Sequence, residues 1–100
     1  MDINIKKETG ETIALLSGRL DTPASLEVAP DFEKLKACAD GTIVLDCTDM
    51  SYISSSGLRL FLSLRKAAAE KGGRIIVRNI SNEIRSVFMM TGFLNLFEIQ

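Results

Sequence analysis

Thr42-Ile43-Val44-Leu45-Asp46-Cys47-Thr48-Asp49-Met50-Ser51-Tyr52-Ile53-Ser54-Ser55-Ser56-Gly57-Leu58 is the stretch on which the fold turns. Residues 42–47 are a short run rich in β-branched side chains, which reads as a central strand buried on both faces. From Gly57 the period changes. Leu58, Leu60, Phe61, Leu62, Leu64, Ala67, Ala68 and Ala69 cover well over half the circumference of a helix running to Lys71. Arg59, Ser63, Lys66 and Glu70 share the remaining polar strip, and Gly72-Gly73 stops the helix as a left-handed terminal turn requires. The serines therefore stand where a buried strand hands over to a helix.

Outward from this junction the elements alternate. Upstream, Ile3 and Ile5 alternate with Asn4 and Lys6 as in a half-buried strand, and Thr12–Leu16 is a second, more apolar one. The short link Glu8-Thr9-Gly10-Glu11 forces the two into an antiparallel hairpin. Thr22-Pro23 reads as a helix N-cap followed by proline at the first helical position. The helix is expected over 23–39 with an interruption at Pro30, after which Phe32, Leu35 and Cys38 or Ala39 face the core. Downstream, Arg74–Arg78 is a strand. Ser81 caps a third helix to about Met90, with Ile84, Val87 and Phe88 at core spacing and Met89-Met90 as adaptable packing. Beyond Gly92, residues 94–99 suggest a short closing strand. The expectation is one α/β domain over residues 1–100: a mixed sheet, an N-terminal antiparallel hairpin plus parallel strands, with helices packed on it.

Composition narrows the chemistry. With 100 residues the chain suffices for one modest core, burying roughly 60–65% of its unfolded surface. Net charge is −1 with basic residues dispersed, which argues against nucleic-acid binding. No apolar run is long enough to insert into a membrane, and the N-terminus lacks the order of a signal peptide, so a cytoplasmic location is expected. Cys38 and Cys47 fit no metal spacing and are read as reduced structural thiols. Without histidine, neither a Ser-His-Asp nor a Cys-His arrangement can be built, and no P-loop or Gly-x-Gly-x-x-Gly occurs. Neither catalysis nor a cofactor is expected.

Unpaired N–H groups of Gly57 and Leu58 at the helix start would favour negative charge, so a phosphate on a neighbouring serine could be held without unfolding. The plainer reading makes one serine the N-cap and leaves the other two solvated. Asp21 either lines the same surface or caps the first helix beside Thr22; Asp46 and Asp49 either form an acidic pair or satisfy loop N–H groups. Leu60 and Leu64 face a partner or the core.

The segment Asp46–Leu58 resembles the signature of STAS domains, the anti-sigma factor antagonists, in which an apolar strand ends in Asp and leads to Asp-Ser-Ser/Thr-Gly-Leu. Gly18-Arg19-Leu20-Asp21, Gly72-Gly73 before an Ile/Val strand, and Met90-Thr91-Gly92-Phe93 match the family in order, so the likeness covers nearly the whole chain. The resemblance implies that Ser55 is phosphorylated by an anti-sigma factor that is itself a serine kinase, and that a serine phosphatase resets it. Unphosphorylated protein would bind the kinase and free a sigma factor, with ATP held by the partner. The implied partner surface comprises Asp21, Ser54, Ser55, Ser56, Gly57 and Leu58, with Ser56 as the cap. Ser54 departs from the family, standing where an acid is expected, and is a rival phosphoacceptor. The free protein is expected to be a monomer. The competing reading is a non-switching STAS scaffold, for instance a subunit bound to a membrane transporter.

Overall fold

The computed structural model describes residues 1–100, beginning with the antiparallel pair β1 (Asp2–Glu8) and β2 (Glu11–Leu20). Helix α1 (Thr22–Lys36) leads to β3 (Thr42–Ile53), α2 (Ser55–Lys71) to β4 (Arg74–Arg78), and α3 (Asn82–Thr91) through a 3₁₀ turn (Phe93–Asn95) to β5 (Glu98–Ile99). The strands lie in the order β1-β2-β3-β4-β5, with β2, β3, β4 and β5 parallel. Three successive parallel steps in one direction, each with a right-handed crossover, place all three helices on one face. Ring contacts agree: Phe61 of α2 lies 5.9 Å from Phe32 of α1 and 6.2 Å from Phe88 of α3. Phe93 and Phe97 complete the cluster, so all five phenylalanines of the chain meet above the sheet.

The alternation of β3 explains its apolar run. Ile43, Leu45 and Cys47 lie under the helices in the core. Val44 faces the other way, flanked in register by Ile13 and Ile76, and is buried without any helix over it. Burial on both faces holds, although only one face is covered.

The structure corrects several expectations. Helix α1 is continuous through Pro30, because Pro30 is exposed and Ala24, Val28, Phe32 and Leu35 form the core stripe behind it. The carbonyl that loses its donor belongs to Leu26, which is 77% exposed and open to water. The helix ends at Lys36 rather than residue 39, though Ala39 is still buried. Its N-cap is Asp21, not Thr22, so Pro23 is the second helical residue. Met89 and Met90 are exposed rather than packed, since Ile84 and Phe88 already occupy the inward stripe of α3. The closing strand shrinks to β5, with Phe93 and Phe97 turned into the core.

Strand β3 runs past Cys47 to Ile53, and it does so through two register shifts against β2. Leu15 pairs with Asp46 but Ser17 with Asp49; Gly18 pairs with Met50 but Arg19 with Tyr52. Extra residues in one strand increase local twist and re-aim the side chains beyond them. Asp46 pins the first shift: its Oδ1 accepts from Thr48 N at 3.0 Å and from Thr48 Oγ1 at 2.6 Å. These shifts bring Leu20 level with Ile53, where both strands end.

Candidate functional site

The end of β3 is tied to the end of β2 by Ser54 N donating to Leu20 O at 2.8 Å. Just beyond that tie both helices start, α1 at Thr22 and α2 at Ser55, so two helix N-termini sit side by side at one end of the sheet. Both have short polar caps. Asp21 Oδ1 accepts from Ala24 N at 2.9 Å, and Ser54 Oγ accepts from Gly57 N at 3.2 Å. Of the two roles open to Asp21 at the sequence level, capping is the one the geometry displays.

Each serine has a different position. Ser54 is half-buried, with φ −90° and ψ 172°, and is the N-cap; the expectation that Ser56 caps the helix is corrected. Ser56 is half-buried too, and its Oγ accepts from Arg59 Nη2 at 3.2 Å. Ser55 is the first helical residue, is exposed, and its hydroxyl makes no hydrogen bond within the chain. The cap falls on Ser54 because Ile53 is buried and the Leu20 tie fixes where extended backbone stops.

Gly57 is buried behind the turn. A Cβ there would lie 2.7 Å from Leu20 Cγ and 2.9 Å from Ile53 Cγ1, so only glycine lets the helix start approach both strand ends. Leu58 and Leu64 are core residues, whereas Leu60 is half-buried and lines a groove of about 310 Å³ between α1 and α2. Thr22, Ser25, Leu26, Ser56 and Arg59 also line it.

Three features escaped sequence reasoning. Leu26 is strongly exposed beside the serines. Arg59, read only as part of a polar strip, reaches Ser56. Arg19 lies 4.3 Å over the ring of Tyr52, its register partner, and frames the turn with a cation on an aromatic face. The alternation of Arg19 and Tyr52 along neighbouring strands could have signalled the last of these, had the register been known.

Of the two roles open to this pair, satisfying neighbouring groups is the one Asp46 displays, through Thr48 and Asn79, whereas Asp49 makes no side-chain hydrogen bond. Burial raises the Asp46 carboxyl, but hydrogen bonds from Thr48 and Asn79 and the charge of Arg78 outweigh it and hold the group below its ordinary value. Burial pushes the Cys47 thiol up to about 12, with the Asp46 charge adding to the effect. No helix is long and apolar enough to cross a membrane.

The model of the STAS domain family matches residues 2–100. BtrV of Bordetella bronchiseptica, described as a candidate anti-sigma factor antagonist, is 27% identical over 99% of this chain and 85% of its own. The anti-sigma-B factor antagonist of Bacillus subtilis is 25% identical over 99% of this chain and 90% of its own. Among solved structures, SpoIIAA in its unphosphorylated form superposes with a TM-score of 0.75 at 22% identity, covering 99% of this chain and 87% of that one. Its phosphorylated form superposes with the same TM-score. At that identity the likeness is one of fold.

Proposed function

The chain belongs to the STAS domain family, and we propose that it is an anti-sigma factor antagonist whose binding is controlled by phosphorylation on Ser55. One observation carries the choice of residue. Ser54 is engaged by Gly57 N and Ser56 by Arg59, so Ser55 alone offers an exposed hydroxyl free of internal hydrogen bonds. A kinase can take up Ser55 without dismantling the cap.

A phosphate there carries about −1.5 to −2 charge at pH 7. It sits on the first turn of α2; the N–H groups of Gly57 and Leu58, expected to be free, are taken by Ser54 Oγ and the Ser54 carbonyl, so it is the helix dipole that favours the anion and lets the domain tolerate it. A partner surface formed around a neutral hydroxyl does not, because the dianion has to be stripped of water on binding. The protein is then substrate and ligand, not catalyst. Its partner supplies ATP and frees a sigma factor when captured, and a serine phosphatase restores the binding form. The surface proposed to meet the kinase comprises Asp21, Ser54, Ser55, Ser56, Gly57 and Leu58; of these Gly57 and Leu58 are buried and act by shaping the turn.

The test is affinity capture from the native cell with Ser55→Ala and Ser55→Asp variants, followed by phosphosite mapping. Ser55→Ala should retain an anti-sigma factor kinase that ATP no longer releases. Ser55→Asp should lose it while melting within a few degrees of the parent. Equal capture by both variants, or phosphate found on Ser54, would remove Ser55 from the switch. Capture of transporter subunits with every serine unmodified would support the non-switching scaffold instead.

A further inference from the structure

The outer edge of the sheet is a seven-residue strand with nothing paired to it. β1 hydrogen-bonds to β2 on one side only, and no other backbone bond reaches residues 2–8. Such edges are usually blunted by proline, by a bulge or by charged side chains, lysine above all. β1 has no proline and pairs with β2 without a register shift. Four of its seven residues are charged, Lys6 and Lys7 among them, but Asp2 and Lys6 are spaced so that they can match across a twofold axis.

Two copies of a strand related by a twofold axis perpendicular to the sheet pair antiparallel, and directly opposite side chains point to the same face. Only registers in which the two residue numbers sum to an even value satisfy this condition. A sum of ten sets Asp2 against Glu8 and Ile3 against Lys7; a sum of six leaves Asp2 opposite Asn4. A sum of eight sets Asp2 opposite Lys6 twice, Ile3 opposite Ile5 twice, and Asn4 opposite itself. Neither Asp2 nor Lys6 has an ion-pair partner within its own chain, and both are exposed.

The apolar pairs have a destination. Ile3 and Ile5 are half-buried and line a groove of about 450 Å³ between β1 and α1, together with Leu35, Lys7, Lys34 and Cys38. A second copy on the edge sets its own Ile5 and Ile3 beside that opening.

We propose that β1 is a self-association edge: two copies pair through residues 2–6, Asp2 of one against Lys6 of the other, to form a continuous ten-stranded sheet, two of five strands each. The pairing would replace the monomer expected from the residue pattern. The paired segment is only five residues long, so a weak dimer is expected, with a Kd of roughly 10–100 μM. The axis at Asn4 sends the two serine turns to opposite ends of the shared sheet, leaving both free for a partner.

Sedimentation equilibrium of the full chain with Asp2→Lys, Lys6→Asp and the double variant tests the register, with urea midpoints confirming that each folds. Each single reversal creates two like-charge pairs per dimer and should weaken association roughly ten-fold. An equimolar mixture of the two single variants should associate as a heterodimer at least as well as the parent, and the double variant should recover self-association. A parent monomeric at concentrations up to about ten times the expected Kd would overturn the proposal. So would single variants that dimerise as tightly as the parent, since the contact would then lie on another surface. Neither result touches the role of Ser55.

Discussion

Replacing Ser54 by alanine removes the acceptor that holds Gly57 N at 3.2 Å and leaves the rest of the turn in place. Loss of an N-cap costs about 1 kcal/mol, within a range of roughly 0.5–2. For a chain of 100 residues the unfolding entropy is about 0.2 kcal/mol/K, so the melting temperature should fall by about 5 °C. With an m-value of about 1.5 kcal/mol/M the urea midpoint should drop by about 0.7 M, with m unchanged. Ser56→Ala is the control. It loses only a hydrogen bond from the exposed Arg59 and should stay within about 0.5 kcal/mol of the parent. Ser54→Asp restores the acid of the family signature, keeps a capping oxygen and adds charge at the positive end of α2, so it should match the parent or exceed it by about 0.3–1 kcal/mol. Urea titration followed by circular dichroism reads all three. A costly Ser56→Ala with a neutral Ser54→Ala would place the cap on Ser56, and with it would go the reason for regarding Ser55 as the free hydroxyl.

The same geometry bears on three further residues. Pro30→Ala restores a donor to the Leu26 carbonyl in an unbroken, solvent-facing stretch of α1 and should stabilise by about 1–2 kcal/mol, the propensity gain being partly offset by a freer unfolded chain; a loss in urea midpoint would contradict the continuous helix. With its thiol at about 12, Cys47 should resist iodoacetamide at pH 8 in the folded protein while the half-buried Cys38 is alkylated first, as peptide mapping would report; both should react in urea. Because the folded Asp46 carboxyl titrates below its unfolded value, its stabilisation is present above about pH 4 and lost as pH falls through the lower, folded value. The stability gap between the parent and Asp46→Ala, measured by urea titration from pH 7 to pH 3, should therefore narrow toward acid; a constant gap would mean that charge plays no part in pinning Thr48.

Periodicity makes the layout legible because burial and period coincide. Ile43-Val44-Leu45 could only be a central strand, and Leu58, Phe61 and Leu64 recur at helical spacing immediately after it. Which serine caps α2 is not legible, since all three have the same side chain and the choice depends on where β3 stops. That point is fixed by a backbone bond to Leu20, remote in sequence. Likewise Asp21 and Thr22 are both good caps, and only the three-dimensional start of α1 separates them. Pro30 misleads because its cost depends on which way it faces, and it faces water. The two register shifts in β3 leave no trace in residue pattern at all; the first exists because Asp46 folds back on Thr48.

The absence of a side chain at Gly57 has a kinetic consequence. With the helix start seated directly against Leu20 and Ile53, the serine turn has no space into which it could recoil. Under the proposed function, a phosphate on Ser55 would be read as charge rather than as displacement of the turn. The response time of the module would then be set outside it, by the turnover of the kinase and phosphatase and by how fast the partner dissociates.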